Sequence, residues 1–498
     1  MVTQPDRRRW AILAFATLGQ FVVAIDVTVA NVALPSIQAD IGLSDPARQW
    51  VIAAYSLAFA GALLSGGRLA DTAGHRRTFI AGLVSFGLAS IVAGSAQEPV
   101  LLLVGRVWQG LSGAVLAPSA LAIVSATFPR GRDRARAMGI YSSVAASGLA
   151  LGLVVGGLLT QLLTWRWAFW FVLPFVAVAA VGGAALLPRE AHAVRVPRRD
   201  LVGGSLLLAG LAALALGVAR SQSDGLDTTA VTLLTAGVVS IVALVVVERR
   251  ASAPLLPPAV VAQPARVGAY LVTTCVLMGL FGLFILATFY LQEVKGYSPV
   301  ATGLAFIPLV ASMALGAMAL SGRFANTHPR LLILAGLALA VAAVMIMRGL
   351  DPTSSYVTVL LPAEILLGLG LGTVLVPCTN ISTYGVGPRQ AAGASAIYAA
   401  VQQVSAAIGT IVLNGMAAVG AASWAADHPD AGPSESTIAG LVDALGLTVG
   451  LLVLAAVVAV VFIRPTEPPD PTPPSRSPDS GALAVAAHPT SRTSREEP

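Results

Sequence analysis

Fourteen long apolar segments constrain the fold of this chain more than any other feature. Each has about 20 residues with few charges, the length that an α-helix needs to cross roughly 30 Å of hydrocarbon. Of the 498 residues, 56% are hydrophobic and 11% are charged, whereas soluble domains have about 25% charged residues. The chain is therefore predicted to be an all-α integral membrane protein. The segments lie near residues 10–35, 49–67, 78–96, 99–126, 137–160, 165–187, 201–219, 228–247, 267–291, 300–321, 331–349, 356–378, 391–419 and 438–463.

The basic residues predict the orientation of these segments. With the N-terminus in the cytoplasm, five basic residues fall in outer loops and Arg106 falls within a segment. All the others of the 30 Lys and Arg residues fall on the cytoplasmic side, as the positive-inside rule requires. An even number of segments returns the C-terminus to the cytoplasm. The net charge of +6 thus reflects membrane orientation, and no nucleic acid partner is expected.

A polar turn interrupts the apolar pattern and recurs in the second half. GGRLADTAGHRR (residues 66–77) joins segments 2 and 3, and its GRLADT (residues 67–72) is similar to GRFANT (residues 322–327). If segments 7 and 8 are an insertion, both turns join the second and third helices of a six-helix block. Such repeats are typical of transporters whose two halves rock around a central site. The alternative is chance similarity between two turns rich in small residues.

The repeat predicts the domain organisation. Residues 1–9 form a cytoplasmic N-terminus, 10–187 a first six-helix bundle, 188–266 a linker with two inserted transmembrane helices, and 267–463 a second six-helix bundle. Residues 464–498 are rich in Pro, Ser, Thr and charge. Because they lack an apolar period, they are predicted to be a disordered cytoplasmic tail.

Several motifs resemble those of one transporter family. GGRLADTAGHRR resembles the loop between helices 2 and 3 of the major facilitator superfamily, although Thr72 and His75 stand where the family usually has arginines. The resemblance implies the major facilitator fold, with 14 transmembrane helices as two six-helix bundles plus two inserted linker helices. Further segments resemble the fourteen-helix drug/proton antiporter branch: IDVTVANVALPSI (25–37), QWVIAAYSLA (49–58), GRVWQG (105–110), WRWAFWFVLP (165–174) and LQEVKGYSPVATGLAFIP (291–308).

This resemblance implies a proton-coupled antiporter in a bacterial-type plasma membrane. Such a protein exports amphipathic organic compounds such as drugs, dyes, antibiotics or secondary metabolites by alternating access. The expected partners are the small-molecule substrate, protons and the lipid bilayer, and the chain is expected to be monomeric. The alternatives are a proton-coupled importer and a membrane-embedded enzyme. The sequence has no Walker loop, no His-rich metal cluster and no GxSxG motif, so no metal and no cofactor beside the proton gradient is expected.

Ionisable residues inside membrane helices mark candidate sites, because each costs about 2.5–3.5 kcal/mol at the helix centre. Asp26, on a stripe of small residues, and Arg106 are predicted to couple transport to protons. A purely structural ion pair is the alternative. Glu364 aligns with Gly368 and Gly372 on one helix face. It is predicted to bind a cationic substrate or a proton, and the alternative is an outward-facing polar lining.

Polar and aromatic residues near these positions are the other predicted substrate contacts. A lining with aromatic rings and few charges suits amphipathic organic molecules, although such aromatics more often only pack between helices. These predicted contacts are Gln109, Asn31, Phe281, Phe284 and Tyr290.

Two further sets of residues are predicted to govern movement. In the polar turn, glycines allow a tight bend while charges pair between helices. In segment 5, glycine every four residues leaves a helix face without side chains for close packing. Related exporters have a Gly-Pro pair there, whereas this chain has Gly152-Leu153; simple packing is the alternative to a motif that sets the direction of transport. The latch set is Gly67, Asp71, Gly74, Arg76 and Arg77, and the segment 5 set is Gly148, Gly152, Gly156 and Gly157.

Overall fold

A computed structural model describes most of the apolar part of the chain. All regular secondary structure in the described residues is helical, as predicted. The second copy of the polar turn (residues 322–327) and the predicted tail (464–498) lie outside the described residues. The described residues are 6–128, 131–188, 198–224, 227–249, 263–321, 328–383, 388–430 and 432–463.

Eight long helices and a short one, Asp45–Arg48, make up the described part of the first half and of the predicted insertion. Helix α6 is interrupted after one turn, because Pro174 has no backbone N–H to continue the hydrogen-bond ladder. The bounds are α1 Asp6–Ile41, α2 Trp50–Ala73, α3 His75–Gly94, α4 Pro99–Thr127, α5 Gly131–Leu162, α6 Trp167–Trp170 with Leu173–Leu186, α7 Arg198–Asp224 and α8 Thr228–Arg249.

Six helices make up the second half, and three of them contain a π-helical turn. Helix α10 is also broken at Phe306, two residues before Pro308. The bounds are α9 Pro264–Phe289 with the π turn Tyr290–Val294, α10 Pro299–Ala305 and Ile307–Leu315 with the π turn Gly316–Ser321, α11 Pro329–Met347, α12 Leu361–Thr383 after the π turn Tyr356–Leu360, α13 Pro388–Asp427 and α14 Pro433–Phe462.

Twelve helices within the described residues are long and apolar enough to cross a membrane. For α2 and α5, which are not among the twelve, the apolar stretches within the described residues are Trp50–Leu63 and Leu151–Leu162. The structure thus provides twelve of the fourteen predicted crossings by length and composition.

The buried apolar side chains form two large clusters, one drawn mainly from α1–α6 and one from α9–α14. The clusters meet, since Leu153 of α5 belongs to the second one and Phe289 of α9 belongs to the first. A third, smaller cluster joins α2, α7 and α13. Helix α7 therefore lies against both halves, and α8 packs on α7, where the Ser240 hydroxyl donates to the carbonyl of Leu206 over 2.8 Å.

Polar contacts between the halves occur where α1 and α9 end. This is the end of the bundle that the charge pattern predicts to be extracellular. At the opposite end, Arg8 and Arg76 donate to carbonyls of α6, and Arg9 donates to a carbonyl of α4. The contacts between halves are the Arg48 guanidinium 3.9 Å over the Phe289 ring, Gln292 Nε2 to the Val32 carbonyl at 3.1 Å, and the Val300 amide to Gln161 Oε1 at 3.3 Å.

Candidate functional site

A buried ion pair joins α1 and α4 inside the first half. One terminal nitrogen of Arg106 lies 2.6 Å from Asp26 Oδ2, and each residue is at most 1% exposed. Helix α4 comes this close to α2 because Gly110 faces the Tyr55 carbonyl, where a Cβ atom would collide. The two ionisable residues that the sequence places deep in α1 and α4 are thus in direct contact.

A hydrogen-bonded network surrounds this pair. Arg106 also donates to Gln109 Oε1 over 2.9 Å and, through Nε, to the Val51 carbonyl over 2.8 Å. The amide nitrogen of Gln109 lies 2.9 Å from both Asp26 Oδ1 and the Ser90 hydroxyl. Both carboxylate oxygens of Asp26 therefore have a donor. Four helices, α1 to α4, contribute to this buried cluster.

Aromatic rings close the cluster around the guanidinium of Arg106. Its central carbon lies 4.6 Å from the centre of the Tyr55 ring and 5.7 Å from that of Phe169. Ring faces attract a cation, most strongly where water is absent. The Tyr55 hydroxyl is buried and has no hydrogen-bond partner in the described part of the chain. The Tyr55 hydroxyl is therefore a polar group of the cluster that makes no hydrogen bond to a described residue in this conformation.

Ser90, Tyr55, Phe169 and the Val51 carbonyl belong to this cluster, although sequence reasoning did not single them out as site residues. A serine in a membrane helix usually bonds its own backbone, and Ser90 does so to the Phe86 carbonyl over 2.9 Å. No pattern in α3 marks its additional contact with Gln109. Tyr55 lies within QWVIAAYSLA, so its motif membership was a usable signal.

The predicted substrate contacts do not converge on one open site in this conformation. Asn31, Gln109, Tyr290 and Glu364 are all buried, with exposures of 3% or less. Tyr290 points toward the connection between α11 and α12, where its hydroxyl donates to the Asp351 carbonyl over 3.0 Å. Phe281 and Phe284 of α9 are half-buried, and Phe284 packs on Phe306 with ring centres 4.3 Å apart.

Glu364 lies in the first turn of α12, in the other half of the molecule from Asp26. The face of α12 that follows it is in close contact with α10, because Gly368 and Gly372 meet the backbone at Leu309 and Met313. The glycine stripe of α12 therefore borders a helix here and leaves no open groove. Among the described residues, Glu364 makes its side-chain hydrogen bond to Tyr356.

The polar turn between α2 and α3 contains part of the predicted latch. Gly74 adopts a φ of +92°, which glycine tolerates far better than other residues. Arg76 donates to the Ala184 carbonyl of α6 over 2.7 Å, and Arg77 is exposed. The side chain of Asp71 lies outside the described residues. The close approach to α4 is made by Gly66, beside the Ala114 carbonyl, whereas a Cβ atom at Gly67 would make only an ordinary contact with Pro118.

The glycines of α5 contact two different partners. Gly148, Gly152 and Gly156 face α1 at Ala24, Ile25 and Val29. This one-sided pattern seats α5 directly on the helix that contains Asp26. Gly157 faces the other way and meets the backbone of Pro299 and Val300 in α10, so it belongs to the interface between the halves.

Comparison with known proteins connects this architecture with a family. Residues 16–410 match the model of the Major Facilitator Superfamily. A puromycin resistance protein, pur8, from Streptomyces alboniger is 44% identical over 464 residues, 92% of each chain. The cephamycin export protein CmcT from Amycolatopsis lactamdurans is 36% identical and covers 80% of this chain and 83% of its own length.

Solved structures agree on the fold. An inward-facing, unoccupied bacterial homologue of the human lysosomal transporter Spinster aligns over 94% of this chain and 100% of its own, with a TM-score of 0.64 at 19% identity. A peptide transporter POT aligns over 92% of this chain and 96% of its own, with a TM-score of 0.64 at 15% identity. These proteins are membrane transporters and not enzymes. The chain therefore belongs to the major facilitator superfamily and has relatives named for antibiotic resistance and export.

Proposed function

We propose that this protein is a proton-coupled antiporter that exports amphipathic organic compounds, including antibiotics. The observation that carries the proposal is the buried Asp26–Arg106 pair, a titratable acid inside a transporter whose relatives are named for antibiotic resistance and export. Members of the superfamily generally need no bound cofactor, and we assign the energy source to the proton gradient. We further propose that this multi-pass protein of the bacterial plasma membrane is monomeric and has both termini in the cytoplasm.

The proposed cycle rocks two six-helix bundles, residues 10–187 and 267–463, around a central path. In this arrangement α2 and α5 also cross the membrane, α7 and α8 are the linker helices within residues 188–266, and the crossings number fourteen. The contacts of Arg48 and Gln161 with the second half belong to an outer-closed conformation. The turn containing Asp71, Arg76 and Arg77 acts as the latch at the cytoplasmic end.

Asp26 is the proposed proton carrier and Arg106 controls its affinity. Ion pairing holds the carboxylate charged while the cluster is closed. Opening toward outside water separates the guanidinium from the carboxylate, so that Asp26 takes up a proton, and closing returns Arg106 and expels it. One proton supplies about 2.3 kcal/mol per 100 mV and about 1.4 kcal/mol per pH unit. That is enough for a gradient of a few hundredfold of a neutral solute.

We assign substrate contact to aromatic and polar residues of both halves. The half-buried rings of Phe281 and Phe284 give an amphipathic compound apolar area, and Tyr290, Asn31 and Gln109 supply polar atoms when the halves rearrange. The acid Glu364 gives a monocation an opposite charge. The glycines of α5, from Gly148 to Gly157, let it slide along α1 and α10 and set the direction of transport.

Efflux from proteoliposomes tests the proposal. Purified protein is reconstituted, a panel of cationic, neutral and anionic dyes is loaded, and transport is followed with and without an imposed proton gradient. We expect extrusion that stops when a protonophore collapses the gradient. Gradient-independent movement would contradict proton coupling, accumulation in place of extrusion would favour an importer, and a chemically altered dye would indicate an enzyme.

A further inference from the structure

Glu364 is a buried acid with little polar contact. It is 3% exposed, its Oε1 atom has no hydrogen-bond partner among the described residues, and its Oε2 atom lies 3.3 Å from the hydroxyl of Tyr356. A carboxylate buried with an unpaired oxygen loses its hydration without compensation. The neutral acid loses far less, so the site favours a proton on Glu364.

The Tyr356 hydroxyl also favours a protonated Glu364, because it has one proton and two possible acceptors. It lies 2.7 Å from the carbonyl oxygen of Ala305, which can only accept a hydrogen bond. That carbonyl is the last of the first segment of α10, at the break that Pro308 introduces. If Tyr356 donates there, its contact with Glu364 is favourable when Glu364 is the donor. The result is a chain from the Glu364 acid proton through Tyr356 to Ala305.

The surroundings provide no cation for an ionised Glu364. No salt bridge involves Glu364 in the part of the chain that the structure describes. From α10 it meets Ser312, whose hydroxyl lies 3.4 Å from the backbone carbonyl of Glu364, and beyond Tyr356 lies the ring of Tyr297. Lys295 donates to the Pro352 carbonyl. Arg266 and Arg330 lie at the starts of α9 and α11, which run antiparallel to α12, and so at the ends away from Glu364. Arg348, which follows α11 at the same end as Glu364, is exposed.

We propose that Glu364 is a second proton-binding site, protonated in this conformation, and that a cationic substrate displaces its proton whereas a neutral substrate leaves it in place. In the exchange the O–H bond of the acid breaks, the proton passes to water, and the carboxylate pairs with the cation. The Tyr356 hydroxyl then turns from Ala305 and donates to the new carboxylate. No other bond changes.

This inference rests on the proposed export function and adds the number of protons that are exchanged for each substrate molecule. If Asp26 transfers one proton in each cycle, a neutral substrate is exchanged for one proton and a monocation for two. Both cycles then move one net positive charge inward. The membrane potential therefore drives the export of both substrate classes, instead of being cancelled for cations.

Infrared spectroscopy of the purified full-length protein tests the protonation directly and needs no transport activity. At pH 7 we expect a carbonyl band of a protonated carboxyl group that is absent in Glu364→Gln, shifted in Tyr356→Phe and unchanged in Asp26→Asn. A wild-type spectrum identical with that of Glu364→Gln in this region overturns the proposal. Because Tyr356→Phe keeps the acid and alters only its acceptor, a band that ignores this change overturns the hydrogen-bonded chain even if Glu364→Gln does not fold.

Proton release on binding tests the exchange. A cationic dye and a neutral dye of matched shape are added to the protein in weak buffer with a pH indicator. We expect about one more proton released per cationic dye than per neutral dye, and loss of this difference in Glu364→Gln. Equal release for both dyes, with the infrared band present, contradicts the exchange while leaving the export function in place. Absent dye transport with a normal infrared band would instead refute the proposed function.

Discussion

Asp26 in the first half and Glu364 in the second are both buried acids, with exposures of 1% and 3%, but their partners differ. Asp26 receives hydrogen bonds from Arg106 and Gln109 on both oxygens. Glu364 meets a tyrosine hydroxyl that is also bonded to a carbonyl. An acid paired with a guanidinium is stabilised as a charge, whereas burial without a cation nearby favours the neutral form of an acid.

Arg106 stands four residues before Gly110 in α4, and Glu364 stands four residues before Gly368 in α12. Each of these glycines lies against the backbone of a neighbouring helix. The first half therefore has a basic residue before such a glycine, whereas the second half has an acid. The side chain that faces each site decides whether it holds an ion pair or, as proposed above, a removable proton.

Removing Arg106, the cationic partner of Asp26 in the first half, gives the largest expected effect. Arg106→Met leaves the Asp26 carboxylate buried and uncompensated, so the free energy of unfolding falls by about 3–5 kcal/mol. Denaturant unfolding in detergent measures this loss. The double variant Asp26→Asn/Arg106→Met, which buries no charge, recovers most of it. A single variant as stable as wild type would show that the pair is not held in the way described.

Removing the acid of the second half separates cationic from neutral substrates with little effect on folding. In Glu364→Gln, efflux of a cationic dye falls by about tenfold or more, because a charge-assisted contact contributes about 1.5–3 kcal/mol. A neutral dye of the same shape is exported at the wild-type rate from the same vesicles. Equal loss of both dyes would assign Glu364 to folding or to proton coupling alone, and no loss would remove it from the site.

Making the two polar turns alike tests the latch. Asp71→Asn gives the first turn the amide that the second turn has at Asn326. Because the turn is remote from the buried acids, the maximal transport rate falls severalfold while the half-saturating dye concentration stays unchanged. Initial rates over a range of dye concentrations separate the two quantities. Weaker binding at an unchanged maximal rate would contradict the latch role.

The smallest expected effect comes from changing Ser90, at the edge of the hydrogen-bonded cluster around Asp26 and Arg106. Ser90→Ala removes one of the two acceptors of the Gln109 amide, at a cost of about 0.5–1.5 kcal/mol in the free energy of unfolding. Ser112→Ala is the matched control, since Ser112 is buried on α4 but bonds Ser85 and the Trp108 carbonyl. Equal effects of the two variants on proton-driven efflux would exclude Ser90 from the network.

The sequence was most informative where physics allows few solutions. A charge inside a membrane helix must find a partner, so Asp26 and Arg106 could be paired from their depth alone. The regular spacing of Gly148, Gly152 and Gly156 predicted a close contact with another helix, and the structure identifies that helix as α1.

Other features depend on packing that a linear pattern does not encode. The stripe of Gly368 and Gly372 fits an open groove and a close helix neighbour equally well, and α10 occupies it. Serines such as Ser90 are common in membrane helices, so its contact with Gln109 had no signal.

Simultaneous measurement of substrate and proton flux in wild-type and Asp26→Asn proteoliposomes tests the central claim most directly. The amide fills the site and still accepts a hydrogen bond but cannot titrate, and Gln109, the Val51 carbonyl and the Tyr55 ring continue to hold Arg106. For a neutral dye, whose exchange uses Asp26 alone, the account predicts that the variant inserts and binds the dye but shows neither gradient-driven export nor substrate-dependent proton uptake. Export with proton uptake at the wild-type rate in Asp26→Asn would contradict it.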